Sequence, residues 1–181
     1  MKLKKFSKRE LRWDFYPMFL KLMKQGLEIE AFLLIISTWN FAYFRYVARS
    51  FNLDRFKNAI NSLKLEFKKL QKLDFRTIDF DKYEKEIKKI FETLSNIKEI
   101  KKTGASKMVH LKVPRVFVMW DSYIMRHYKC YKGDANDYFN FLKEMQRRFK
   151  NIKLLPGRTV PKLIDEHNYK TITEPALEKK K

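Results

Sequence analysis

The sequence predicts an all-α fold, a single compact helical domain. Three observations carry that reading. Four glycines and five prolines in 181 residues leave long uninterrupted segments. Apolar residues recur through those segments in steps of three and four, the period of a helix with one buried face. A hydrophobic share of 45%, with 16 phenylalanines and 9 tyrosines, supplies a core and excludes a disordered chain. The length suits one domain, residues 1–181, with a basic arm over 1–8 and a solvated tail over 171–181.

The elements follow in order. Ser7 and Glu10 have the spacing of a capping box and open a first helix. Pro17 kinks or divides it, and Gly26 stops it. Residues 28–50 read as one long helix, apolar on most faces and rich in aromatics: Trp39, Phe41, Tyr43, Phe44 and Tyr46. Residues 53–73 give the clearest amphipathic helix, with Phe56, Ile60, Leu63, Phe67 and Leu70 on one stripe and Asn52 or Asp54 as cap. A connector over 74–80 leads to a helix capped by Asp79 or Asp81, with Tyr83, Ile87, Ile90, Phe91 and Leu94 inward. Gly133 stops one element and Asp134 caps the next, which runs to about Lys150 with Tyr138, Phe141, Leu142, Met145 and Phe149 buried. After the Pro156-Gly157 loop, Thr159 caps a last short helix over 160–169.

Charge narrows the partners. Lysine and arginine number 41 against 21 acidic residues, a net charge of +20. Such a field attracts polyanions, and phosphate neutralisation releases counterions, so nucleic acid is the expected partner. Charge alone does not separate DNA from RNA. The one cysteine, Cys130, rules out an intramolecular disulfide and fits an intracellular, cytoplasmic chain. The most apolar run, 31–48, is interrupted by Ser37, Thr38, Asn40 and Arg45 and reads as a buried core helix, so no membrane partner is expected. His110, His127 and His167 with one cysteine do not form a zinc site. There is no phosphate-binding loop, dinucleotide fingerprint or nucleophile elbow, and no cofactor or metal is expected.

Residues 103–128 carry the chemistry: Thr-Gly-Ala-Ser-Lys-Met-Val-His-Leu-Lys-Val-Pro-Arg-Val-Phe-Val-Met-Trp-Asp-Ser-Tyr-Ile-Met-Arg-His-Tyr. Gly104 opens a turn. A short helix starts at Ala105 or Ser106 and ends before Pro114, since the residue before a proline avoids helical backbone. The apolar connector 116–120 stops at Asp121, which takes the N-cap place of a further helix.

That order resembles the core of the helix-hairpin-helix DNA glycosylase superfamily, the endonuclease III and adenine glycosylase relatives. The resemblance implies a DNA-binding hairpin over Lys102, Thr103, Gly104, Ala105 and Ser106, with Arg115 nearby on the phosphates. It implies that Lys107 is the nucleophile of a strand-cleaving member and Asp121 the catalytic carboxylate. Trp39, Asn40 and Trp120 are the candidates for a pocket that takes an extruded base.

Each role has a plainer counterpart. Asp121 can cap a helix and do nothing else, and the two roles are compatible. Lys107 can be one surface charge among many. Trp39 can be core packing, and the Gly104 turn an ordinary helix connection. Two functions therefore stand at this point. One is a monomeric base-excision glycosylase, with or without lyase activity. The other is a non-catalytic basic helical nucleic-acid-binding protein, with an RNA- or ribosome-associated factor as a variant of it. They differ in whether Lys107 and Asp121 share one open cleft.

Overall fold

A computed structural model describes residues 11–179 of the chain, and every regular element among them is helical. The expected basic arm and the helix start at Ser7 lie outside the described residues. The order is α1 (Leu11–Lys24), α2 (Glu28–Trp39), α3 (Phe41–Val47), α4 (Leu53–Ser62), α5 (Lys64–Leu70), α6 (Glu84–Ser95), α7 (Lys101–Lys112), α8 (Ser122–His127), α9 (Ala135–Phe149), α10 (Val160–Asn168) and α11 (Glu174–Glu178). Helix α6 lies at the centre, packed on α7 and α9; α2 bridges α1 and α7, and α10 lies on α9.

Amphipathic stripes explain the centre. Ile87, Ile90, Phe91 and Leu94 of α6 are all buried, at helical spacing. They meet Tyr138, Phe141, Leu142 and Met145 of α9. Phe91 stacks on Tyr138 at 4.2 Å, and the Trp120 ring stands edge-on to both. The buried Tyr138 hydroxyl donates to the Val118 carbonyl at 2.8 Å, so its polar tip is satisfied.

Four expected caps are in place. Asn52 accepts from the Arg55 amide at 2.8 Å, Asp134 from Asp137 at 2.9 Å, Thr159 from Lys162 at 3.3 Å, and Asp121 from both Tyr123 and Ile124. Gly133 has φ +59°, a left-handed conformation that favours glycine in the turn before α9, and an added Cβ would press on the Met125 side chain. Neither Asp79 nor Asp81 caps α6. Tyr83 precedes it, and Asp79 instead closes a turn by accepting from the Asp81 amide at 3.1 Å.

Other boundaries differ from the sequence reading. Helix α1 runs through Pro17 without dividing. The expected single helix over 28–50 is two segments, bent by 109° at Asn40. Ser37 and Thr38 bond back to the Leu34 carbonyl at 3.1 and 2.7 Å, a pattern that bends helices, and Asn40 donates to the Ile100 carbonyl across the bend. No single described helix is long and apolar enough to cross a membrane; this bent pair reaches the needed length and composition only together.

The expected helix over 53–73 breaks at Leu63, and its last turns end at Leu70. Its stripe survives the break: Phe56, Ile60, Leu63, Phe67 and Leu70 are all buried, and α4 and α5 both pack on α6. Phe67→Ala should therefore cost about 3–5 kcal/mol by denaturant unfolding, the usual loss for truncating a core aromatic. A loss within about 0.5 kcal/mol, the range of surface substitutions, would contradict this placement.

The expected solvated tail also folds back. Tyr169–Thr173 continue α10 in a wider π turn that leads into α11. Thr173 is buried and lies against α8.

Candidate active site

Helix α7 carries most of the site, and it begins earlier than its sequence suggests. The turn between α6 and α7 lies over 96–100, and Lys101, the first residue of α7, is left-handed at φ 57°. Gly104 is therefore not the turn. It sits buried inside α7, where an added Cβ would lie 3.0 Å from Ile100 Cγ2 and 3.1 Å from Asn40 Nδ2. The glycine serves close approach: the bend between α2 and α3 presses against this face of α7.

The same shift corrects the expected phosphate contacts. Ala105 and Ser106 are fully buried. The Ser106 hydroxyl accepts from the Trp120 amide at 3.2 Å, and its proton lies between the Thr103 carbonyl at 2.9 Å and the Trp120 carbonyl at 3.1 Å. It pins the 116–120 connector to α7 rather than facing solvent. Lys102 reaches the Lys132 carbonyl, and its own carbonyl accepts from Trp120 Nε1 at 3.1 Å. Arg115 is exposed but stands elsewhere, paired with Asp74 at 2.8 Å beside a small cleft with Arg76 and Arg158.

Lys107 and Asp121 do share one open cleft, of about 470 Å³. That volume is within the usual range for small-molecule sites. Thr38, Trp39, Asn40 and Phe41 form one side, Thr103 and Lys107 the α7 side, and Trp120 and Asp121 the floor. Asp165, Tyr169, Thr173 and Leu177 close the far side. Trp39, Asn40 and Trp120, expected as pocket residues, all line it. Trp120 and Asn40 are buried, while the exposed Phe41 stands at the rim.

Both candidate residues hold the structure. Asp121 Oδ1 accepts the amides of Tyr123 and Ile124 at 2.8 and 2.9 Å, and Oδ2 accepts from the Thr173 hydroxyl at 2.7 Å. The lysine Nζ of Lys107 donates to the Trp39 carbonyl at the C-terminal end of α2, where cations are favoured.

Sequence reasoning missed the α10 side. Asp165 and Tyr169 are one turn apart and so face the cleft together. Behind them Lys162 is fully buried, with Nζ 2.7 Å from Asp165 and 3.8 Å from Glu166; Arg158 holds Glu166 at 2.8 Å. Burial lowers the Lys162 pKa and raises that of Glu166, each toward its neutral form, and the opposite charges beside them work against this. The lysine, aspartate and glutamate at i, i+3 and i+4 were the one available signal.

His110 lies in the same buried layer. Its Nδ1–H donates to the Phe117 carbonyl at 2.7 Å, so Nε2 accepts from the Tyr16 hydroxyl at 2.8 Å. Burial lowers its pKa to about 3, so the ring is neutral and serves packing. Burial pushes the Cys130 thiol up to about 11, which makes it no nucleophile at neutral pH. No group of histidine, cysteine and carboxylate side chains among the described residues could hold a metal ion.

Comparison with protein-family models, with curated proteins and with solved structures finds no match in any of the three.

Proposed function

We propose that this chain is a monomeric base-excision DNA glycosylase, which takes an extruded damaged base into the cleft beside α7. The observation that supports this most is the convergence of Lys107 and Asp121 on one open, aromatic-walled cleft in a protein of net charge +20. A base entering it meets the rings of Trp39 and Tyr169, with the Asp165 carboxylate as an acceptor for N–H groups on its edge.

Asp121 stands where a carboxylate can stabilise positive charge developing on the sugar as the base departs. In the bifunctional version the Lys107 amine, after losing its proton, attacks C1′. The C1′–N bond breaks and the base leaves with the bonding electrons, taking one proton of the attacking amine; the C1′–O4′ bond then breaks, O4′ takes the second amine proton, and a Schiff base is left on Nζ. Lys107 exchanges its Trp39 carbonyl for the substrate in that step.

Borohydride should then trap a covalent adduct on duplex DNA containing a processed lesion, and Lys107→Gln should abolish the trap while retaining DNA binding. An undiminished adduct in Lys107→Gln would show that another amine reacts. DNA affinity should be salt-dependent and nearly independent of sequence, since cations are abundant and no base-reading motif is present. About six phosphate contacts correspond to a loss of roughly a thousandfold between about 50 and 200 mM salt. Affinity unchanged over that range would rule out a phosphate-driven interface.

One observation favours the non-catalytic alternative. Lys107 and Asp121 each have a structural hydrogen-bonding role that needs no substrate. In that reading the basic surface alone binds nucleic acid. A broad panel of damaged-base duplexes with no base release would favour it.

A further inference from the structure

The unusual group beside the cleft is Lys162. It is fully buried, and its Nζ lies 4.8 Å from the ring centroids of both Trp39 and Tyr16. Trp39 and Tyr16 are nearly parallel, 10° apart, with centroids separated by 6.0 Å. A cation over an indole face draws on the ring's negative quadrupole. The part of Trp39 that lines the cleft therefore belongs to a ring whose π density is already engaged by an ammonium.

The other charges at the cleft balance. Asp165 is paired with Lys162 itself, and its remaining contribution lines the wall. Asp121 is held by two amides and a hydroxyl, with Lys107 on the neighbouring wall. With the buried layer behind the wall counted, three carboxylates, Asp121, Asp165 and Glu166, stand against Lys107, Lys162 and Arg158. A cationic ligand stacking on Trp39 gains little from the ring and is repelled by Lys162 behind it. A neutral, electron-rich ring meets no such penalty.

We infer that Lys162 is a specificity-determining residue, and that the cleft takes neutral, electron-rich planar heterocycles of purine size and rejects cationic ones. In the glycosylase reading, on which the identity of the ligand as a DNA base rests, this selects neutral damaged purines over alkylated bases carrying a fixed positive charge.

The test uses the full chain and free nucleosides, so it does not depend on catalysis. Equilibrium dialysis would compare 1-methylguanosine, neutral at neutral pH, with 1-methyladenosine, cationic there and bearing a methyl group at the same ring position. The wild type should favour the neutral nucleoside by roughly tenfold, the scale of one desolvated cation–π contact. Lys162→Arg keeps the cation and should keep the preference.

Lys162→Met removes the cation and leaves Asp165 uncompensated, so the preference should reverse toward 1-methyladenosine. General loosening of the fold would weaken both ligands and reverse nothing. Equal or tighter binding of 1-methyladenosine by the wild type overturns the inference, as does failure of 1-methylguanosine to bind. Both of these readings need only the wild type, should Lys162→Met not fold. Preference for the neutral nucleoside with no release of any damaged base from DNA would sustain this inference and remove the glycosylase.

Discussion

Asp121→Asn is expected to slow base release by roughly 10²–10³-fold, the usual cost of removing one transition-state electrostatic partner. The same substitution should leave the fold nearly untouched. Asparagine caps helices about as well as aspartate, so the bonds from the Tyr123 and Ile124 amides persist on its carbonyl oxygen. Its amide then faces the Thr173 hydroxyl, which can turn from donor to acceptor. Stability should change by no more than about 0.5 kcal/mol, and DNA should bind at least as tightly once a negative charge near phosphate is gone.

Asp121→Ala separates the two roles by contrast. It removes the cap as well as the charge and should lose about 1 kcal/mol or more of stability. Single-turnover base release and denaturant unfolding, measured on both variants, check the pair. A wild-type rate in Asp121→Asn on a processed substrate would reduce Asp121 to a cap, and the site proposed here would be wrong.

The caps were legible because each is a local bargain between one side chain and amides two or three residues ahead, as at Asn52, Asp121, Asp134 and Thr159. The buried stripes were legible for a similar reason. The step of three and four fixes which residues share a face, and that survives the break at Leu63. Gly104 was misread because glycine serves both turns and close approaches, and local sequence does not distinguish them. At Gly104 the space is closed by Ile100 nearby and by Asn40, far away in the chain.

The α10 side of the cleft depends on contacts of the same long range. The polar composition of 171–181 suggests solvent, but Thr173 reaches Asp121 across the fold. Lys162 looked like one cation among 41 lysines and arginines. Only the packing of Tyr16 and Trp39 over it reveals a buried charge.

Trp120 shows how closely core and cleft are joined, and its truncation should severely damage the fold. The side chain is buried among Phe91, Tyr138 and Phe141, with ring centroids 5.5, 4.8 and 5.4 Å away. Trp120→Ala should cost about 3–5 kcal/mol, a large part of the roughly 5–15 kcal/mol that holds a domain together. Trp120→Phe keeps an aromatic ring among the three but leaves the Lys102 carbonyl without its indole donor. That loss should be smaller, about 1–3 kcal/mol. Ser106 continues to anchor the connector through the Trp120 backbone in either variant, so Asp121 stays at the head of α8 wherever the protein remains folded. Trp120→Phe should accordingly keep base release within about tenfold of the wild type, a change of roughly 1.4 kcal/mol in barrier. Unfolding curves and single-turnover rates on the two variants measure this directly. If Trp120→Phe folds as stably as the wild type yet loses base release altogether, the indole contacts the base itself, and the cleft floor belongs to the chemistry rather than to the core beneath it.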